Sequence, residues 1–331
     1  MSAVEKQVIF RLDSGFKMGL GHFMRCKALA DELLALGIKS FFAVKHCHQR
    51  EDFFPHAIID LENESELIEQ IKKSFYQAII VDNYDITSIE LEKLSKVANN
   101  LVLLDDECNR GYLFADVIFN PVSSADKLPY KKYAARAKKY LGPAYILMRS
   151  VFNQVDLLPY VQRKNIILTM GGSDMNQLTL LILKQIHQNF SALPLIVVTG
   201  ASCKHHLQIE QFCSQFNINY RHNEKHMEQL FANAKLAISA AGSTVFELAK
   251  CGVPSVFTLI ADNQQLAVQE HQQLGWCSFV DCRKEANIDR IIAAVTDSLS
   301  SDDLAYKSQL AISCVDGNGA KRAAQIISQL Q

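Results

Sequence analysis

The sequence has almost no net charge. Its 34 lysines and arginines stand against 35 aspartates and glutamates, for a formal charge of −1. That balance argues against a protein that grips nucleic acid through its phosphates, which takes a basic surface. No apolar run is long enough to span a bilayer. The opening residues, MSAVEKQ, lack the apolar core of a signal peptide. A cytoplasmic protein with no stable membrane association is the expectation. The nine cysteines contain no Cys-x-x-Cys pair and read as reduced thiols. His46-Cys47-His48 and His205-His206 place neighbouring residues on opposite faces of an extended chain, so neither makes a convincing metal site. Two nucleotide signatures are also missing. No lysine follows the glycines as a P-loop requires, and the first glycine loop does not match G-x-G-x-x-G. ATP and NAD are therefore poor ligands to expect, and no cofactor or metal is called for.

What is present begins at residues 8–34, VIFRLDSGFKMGLGHFMRCKALADELL. A short apolar run turns polar at Asp13. A loop with Gly15, Gly19 and Gly21 follows, and then apolar residues at helical spacing. This reads as strand, glycine loop, helix. Gly19 and Gly21 let backbone approach a ligand closely. His22 stands at the loop–helix junction, where the positive helix end disfavours its protonation and suits it to act as a base. On this stretch alone a packing or capping histidine is the commoner reading.

The rest of the first half repeats the device. Apolar runs at 39–45, 57–61, 78–81, 101–104 and 117–119 read as strands of a parallel sheet, with helices at 64–75 and 88–98. Residues 130–140 read as a further helix. Polar residues end the strands: Asp13, Asp82, Asp105 and Asn120. They would share one rim, where ligands sit in open α/β sheets, although polar strand ends are common in any case. Pro159 within 155–163 marks the linker, giving an N-terminal domain over 1–158 and a C-terminal one over 159–331.

The second half restarts with a strand at 165–170, the loop Gly171-Gly172-Ser173-Asp174 and a helix over 177–188. Strands at 195–199, 218–220, 236–239, 254–259 and 276–280 alternate with helices, the last at 287–298 and 319–330. The whole reads as α/β, two Rossmann-like parallel-sheet domains. Two loops suit a diphosphate through N–H and hydroxyl donors, 171–174 and Ala241-Gly242-Ser243-Thr244. Glu247, three residues after Thr244, is placed to accept from ribose hydroxyls, or else offsets the helix dipole. Asn263 and Gln264 could reach a sugar. A nucleoside-diphosphate sugar fits these loops best.

In order, these segments resemble the PseG family, hydrolases of UDP-2,4-diacetamido-2,4,6-trideoxy-β-L-altropyranose in pseudaminic acid biosynthesis. More remotely they resemble the MurG-type glycosyltransferases. The likeness runs over nearly the whole chain. It rests on residues 11–25 with their G-x-G-H junction, Asp82-Asn83-Tyr84, Asp105-Asp106-Glu107, Asn120, Ile146 to Arg149, Met170 to Asp174 and Ile238 to Glu247. Asn83 stands where some relatives carry histidine. The resemblance implies a GT-B fold with an interdomain cleft, UDP on the C-terminal domain and the sugar against the N-terminal one. It implies metal-independent attack of water at the anomeric carbon, releasing UDP and free sugar. His22 matches the family's general base, Tyr84 its cleft tyrosine and Glu247 its ribose-binding position. Asp13, Tyr84 and Asn120 would hold the sugar, Gly171 with Gly172 and Gly242-Ser243-Thr244 the diphosphate, and Arg149 a phosphate or carbonyl. A monomer binding a UDP-sugar and releasing UDP is expected, with a last helix that packs back on the N-terminal domain. The rivals are a GT-B glycosyltransferase, with Lys131, Lys132, Arg136, Lys138 and Lys139 as acceptor surface, a hydrolysing 2-epimerase, and a non-enzymatic nucleotide-sugar binder.

Overall fold

A computed structural model describes residues 6–13, 21–45, 50–190 and 192–331. Gly15 and Gly19 lie outside the described residues. The chain divides into two compact units, Met1–Ser150 with Gly317–Gln331, and Val151–Asp316.

The first unit runs β1 (Gln7–Leu12), α1 (Gly21–Ala35), β2 (Lys39–Val44), β3 (Ala57–Asp60), α2 (Glu64–Lys73), β4 (Ala78–Asp82), α3 (Ser88–Ser95), β5 (Leu101–Leu104), β6 (Val117–Asn120), α4 (Tyr130–Tyr133) and β7 (Lys138–Leu141). Its seven strands form one parallel sheet in the order β3-β2-β1-β4-β5-β6-β7. The second unit holds α5 (Val151–Gln154), β8 (Asn165–Thr169), α6 (Leu178–Asn189), β9 (Leu195–Thr199), α7 (His206–Gln215), β10 (Asn219–His222), α8 (Met227–Ala232), β11 (Ala234–Ala240), α9 (Thr244–Lys250), β12 (Ser255–Leu259), α10 (Gln265–Gln273), β13 (Cys277–Asp281), α11 (Ile288–Ser300) and α12 (Leu304–Cys314). Its parallel sheet runs β10-β9-β8-β11-β12-β13. The terminal helix α13 (Gly319–Ser328) belongs to the first unit.

Strand alternation divides the first unit's core into two layers. Val8, Phe10, Leu12, Ala78, Ile80, Val102 and Leu104 face α1 and α13, meeting Phe23, Cys26, Leu29, Ala323 and Ile327. Ile9, Ile79, Val81, Leu101 and Leu103 face the other way, against Leu67 and Ile71 of α2, Leu91 and Leu94 of α3, and Tyr130. Both faces are covered, so the strands read as continuous apolar runs rather than alternating ones. The same alternation decides where each strand-end polar residue goes.

The two sheets share one topology. Each winds outward from a central pair, β1 with β4 and β8 with β11. The gap at that reversal, at the strands' C-terminal ends, is where doubly wound sheets hold ligands.

The structure departs from the sequence reading in three places. The helix expected over 130–140 stops at Tyr133, and Lys138–Leu141 becomes edge strand β7. There Lys138 pairs with Val117, and Tyr140 stacks on Phe119 with ring centroids 5.2 Å apart. α12 was not expected. Its outward Tyr306 and Ile312 are exposed while only Leu304, Ser308 and Ala311 are buried, which blurs a helical apolar stripe. Ser308 Oγ ties it down by donating to the Gly252 carbonyl at 2.7 Å. Residues 155–163, read as the linker, lie within the second unit. Phe152 stacks on Phe231, and Arg163 donates to the carbonyls of Cys251 and Gly252.

One buried group in the second unit makes its stability pH-dependent. His271 accepts from Trp276 Nε1 at 3.0 Å. Burial pushes its pKa down from the usual 6.5 to about 4. The unfolded chain takes up this proton first, so stability is full above pH 6.5 and falls as the pH drops toward 4. The loss amounts to ~3 kcal/mol at 1.36 kcal/mol per unit. Urea titrations between pH 7 and 4 will show this slope, and His271→Phe will flatten it.

Candidate functional site

Asp82 closes β4 on the α1 side of the sheet, the side of Ala78 and Ile80. It is fully buried. Four donors meet its carboxylate. Oδ1 takes His22 Nδ1 at 2.6 Å and Arg25 Nη2 at 2.5 Å. Oδ2 takes Arg25 Nε at 2.6 Å and the Cys26 thiol at 3.3 Å. All three donor residues stand on the first two turns of α1, with His22 and Arg25 three apart and so neighbours on one face. Burial disfavours the charged carboxylate, but the Arg25 guanidinium and His22 hold its pKa well below the usual range.

The geometry assigns the imidazole tautomer. His22 Nδ1 lies 2.6 Å from a carboxylate oxygen but 3.3 Å from Arg25 Nη2, which can only donate. The Nδ1 proton is therefore given to Asp82, and Nε2 is left as the accepting nitrogen. Tyr84 stands edge-on to the imidazole, ring centroids 4.6 Å apart at 84°. Its hydroxyl donates to Asp106. Burial and the Asp106 charge push the phenol pKa up, so Tyr84 keeps its proton and walls the imidazole in. Asp106 also receives Arg25 Nη1 at 2.8 and 3.0 Å.

The other strand-end residues turn to the opposite face and form a second network. Asp13 accepts from Arg11 Nη2, Asn83 Nδ2 and the Lys45 N–H. Arg11, buried at 1% exposure, forks onto Glu64. Asn83 also accepts from the Asp85 N–H through Oδ1, and its carbonyl takes Arg110 Nη1 at 2.6 Å. Arg110 pairs with Asp105, Asp105 accepts from Tyr130 at 2.6 Å, and Tyr130 accepts from Asn120. The residues expected at the site thus separate. His22, on α1, meets Tyr84 on that side of the sheet, whereas Asp13, Asn83 and Asn120 are buried in a network on the other side. Asp82, Arg25 and Asp106 complete the His22 group and were not among the expected site residues. Their signal was a buried strand-end acid and an arginine one turn after the histidine. Arg149 is half-buried near the end of the first unit.

In the second unit, Asp174 is taken up by structure. It adopts φ +43° and its carboxylate accepts from the N–H groups of Leu178 and Thr179 at 2.9 and 3.1 Å. The α6 N-terminus is thereby filled from within. Gly171 needs its positive φ of +72°. Gly172 lies against Gly200, where a Cβ would come 2.4 Å from the Gly172 carbonyl oxygen. Ser173 is half-buried. The loop after β11 differs. The Ala241 N–H bonds to the Thr258 carbonyl. The N–H groups of Gly242, Ser243 and Thr244 meet no acceptor among the described residues, and all three residues are partly open. Glu247 is half-buried one turn on, and Gln264 Oε1 accepts the Ile260 N–H at 3.0 Å beside exposed Asn263. Register pairing of β8, β11 and β12 puts these loops on one rim of that sheet.

Residues 166–327 match the glycosyltransferase family 28 C-terminal domain. The chain is similar to the UDP-2,4-diacetamido-2,4,6-trideoxy-beta-L-altropyranose hydrolase of Campylobacter jejuni, at 27% identity over 71% of this chain and 85% of that one. An uncharacterized protein of Methanocaldococcus jannaschii is 23% identical over 74% of this chain, a match that spans 54% of that protein's length. Among solved structures, Acinetobacter baumannii MurG superposes with a TM-score of 0.65 at 14% identity, covering 98% of this chain and 99% of that one. The fold of the chain is GT-B.

The two networks separate experimentally. Tyr130→Phe removes a donor to buried Asp105 and will cost about 1.5–3 kcal/mol in chemical denaturation. It leaves every contact of the His22 group in place.

Proposed function

We propose that the protein hydrolyses a UDP-2,4-diacetamido-2,4,6-trideoxy sugar of the L-altro type at its anomeric carbon, giving UDP and the free sugar for pseudaminic acid biosynthesis. The observation that carries this reading is the His22–Asp82 pair, which leaves one imidazole nitrogen with no partner among the described residues, in a ring that Tyr84 meets edge-on. The named activity of the Campylobacter relative supports it.

Hydrolysis asks for a base on water and a stabilised leaving group. His22 Nε2 takes the proton as the water oxygen bonds to the anomeric carbon. The bond from that carbon to the diphosphate oxygen breaks, and its electron pair leaves with UDP. Asp82 balances the imidazolium that forms, as a buried carboxylate does for a catalytic histidine. The leaving diphosphate is assigned to the N–H groups of Gly242, Ser243 and Thr244, with Glu247 toward the ribose and Asn263 and Gln264 beside it. Asp174 acts from behind, by shaping the 171–174 loop. No step calls for a metal or cofactor. Asp13, Asn83 and Asn120 support the sugar side by holding the chain after β2, β4 and β6.

A glycosyltransferase is the second reading. It is favoured by an exposed aromatic and basic surface on the first unit, where Tyr112, Phe114 and Tyr133 cluster and Lys132 lies over the Tyr133 ring. Release of UDP from a UDP-diacetamido sugar with no acceptor in the buffer separates the two.

Incubation with a small panel of UDP-diacetamido sugars, followed by chromatography of UDP, tests the proposal. His22→Asn is expected to lower turnover by about 10²–10⁴-fold while calorimetric UDP binding stays unchanged. Full activity in that variant removes His22 as the base.

A further inference from the structure

One guanidinium lies between two carboxylates beneath His22. Arg25 Nε and Nη2 fork onto Asp82, and Nη1 bridges both oxygens of Asp106. The side chain is largely enclosed, at 17% exposure, and both acids are buried or nearly so. Asp82 is the group that receives the His22 Nδ1 proton, and Asp106 is the group that receives the Tyr84 hydroxyl. Arg25 therefore touches, through one rigid plane, the partner of each ring that contacts the other.

We propose that Arg25 is the positioning residue of the site: its planar fork fixes Asp82 against His22 and Asp106 against Tyr84, and so selects the His22 tautomer with a bare Nε2. This rests on His22 as the base. The argument is geometric. A carboxylate held by four donors has no freedom to turn its lone pairs away from Nδ1. Without Arg25, Asp82 keeps only His22 and a weak thiol donor, and a second negative charge, Asp106, stands close by with no cation between. Repulsion of that kind drives one acid to protonate or to turn away. A protonated Asp82 can donate to Nδ1, which puts the imidazole proton on Nε2 and removes the base. Lysine would supply the charge as a point, but not two forks at fixed angles.

The charges also sum in a useful way. Arg25 with Asp82 and Asp106 carries a formal −1 while His22 is neutral, and becomes neutral when His22 takes up the proton from water. The group is built to accept one proton.

The test uses the full chain and two readouts. In ¹⁵N imidazole spectra, with the His22 signal assigned by its loss in His22→Gln, the wild type is expected to show the Nδ1-protonated tautomer. Arg25→Ala is expected to show the Nε2-protonated form or a mixture. In turnover, Arg25→Ala is expected to lose about 100-fold in kcat with KM within about threefold. Millimolar guanidinium is expected to restore part of that loss, which a general fault in folding would not allow. If Arg25→Ala does not fold, Arg25→Lys is read in the same two ways and is expected to shift in the same direction by less. A folded variant with the wild-type tautomer, and with kcat within about threefold of wild type, overturns the proposal. The spectrum decides the role of Arg25 even if the wild type cleaves no UDP-sugar, an outcome that would instead refute the function proposed above.

Discussion

A carboxylate with no exposure to water, surrounded by four donors, is the constraint on which the first unit's rim depends. Burying an unpaired charge costs several kcal/mol, so Asp82 is compatible with folding only if α1 delivers its partners. That requirement fixes the helix. His22, Arg25 and Cys26 lie within two turns and all meet one residue of β4. The orientation of α1, the tautomer of His22 and the seat of Arg25 are thus one arrangement rather than three.

Below that rim the sheet alternation sorts polar residues without regard to their nearness in sequence. Asp105 and Asp106 are neighbours, yet one joins Tyr130 and Arg110 while the other joins Arg25 and Tyr84. The same holds for Asp82 and Asn83. The network on the far side ties its polar side chains into the chain around the strand ends, and in the network beneath α1 the Nε2 of His22 meets no partner among the described residues. A division of this kind places the loop-holding network and the His22 group on opposite faces of the same strands.

How much of this was legible in the sequence depends on the residue. The parallel sheets were, because strands covered on both faces read as apolar runs, and the polar strand ends marked the rim. His22 and Tyr84 were visible at the glycine junction and the β4 end. The grouping of the rim was not, since it depends on strand parity carried one or two residues past the last ladder bond. Asp13, Asn83 and Asn120 were legible as rim residues but not as members of a buried network. Asp174 looked like a phosphate-loop residue because Gly-Gly-Ser-Asp precedes a helix, and nothing in the sequence tells whether such an acid faces outward or caps its own helix. β7 was hidden by alanines and lysines that favour a helix, and was decided by pairing with β6.

The first unit is not continuous along the chain. Its core includes Ala323, Ala324 and Ile327 of α13, and Gln77 donates to the carbonyls of Ser328 and Leu330 at the end of that helix. Gly319 begins it against the Ile146 carbonyl, where a Cβ would come within 2.2 Å. Translation runs from the N-terminus, and domains tend to fold as they emerge. Here the unit begun first is completed only after the second unit has been synthesised. Until residues 319–328 have left the ribosome, the apolar side of α1 and β1 that α13 covers stays open, and the layer beneath His22 is finished only after the second unit has been made.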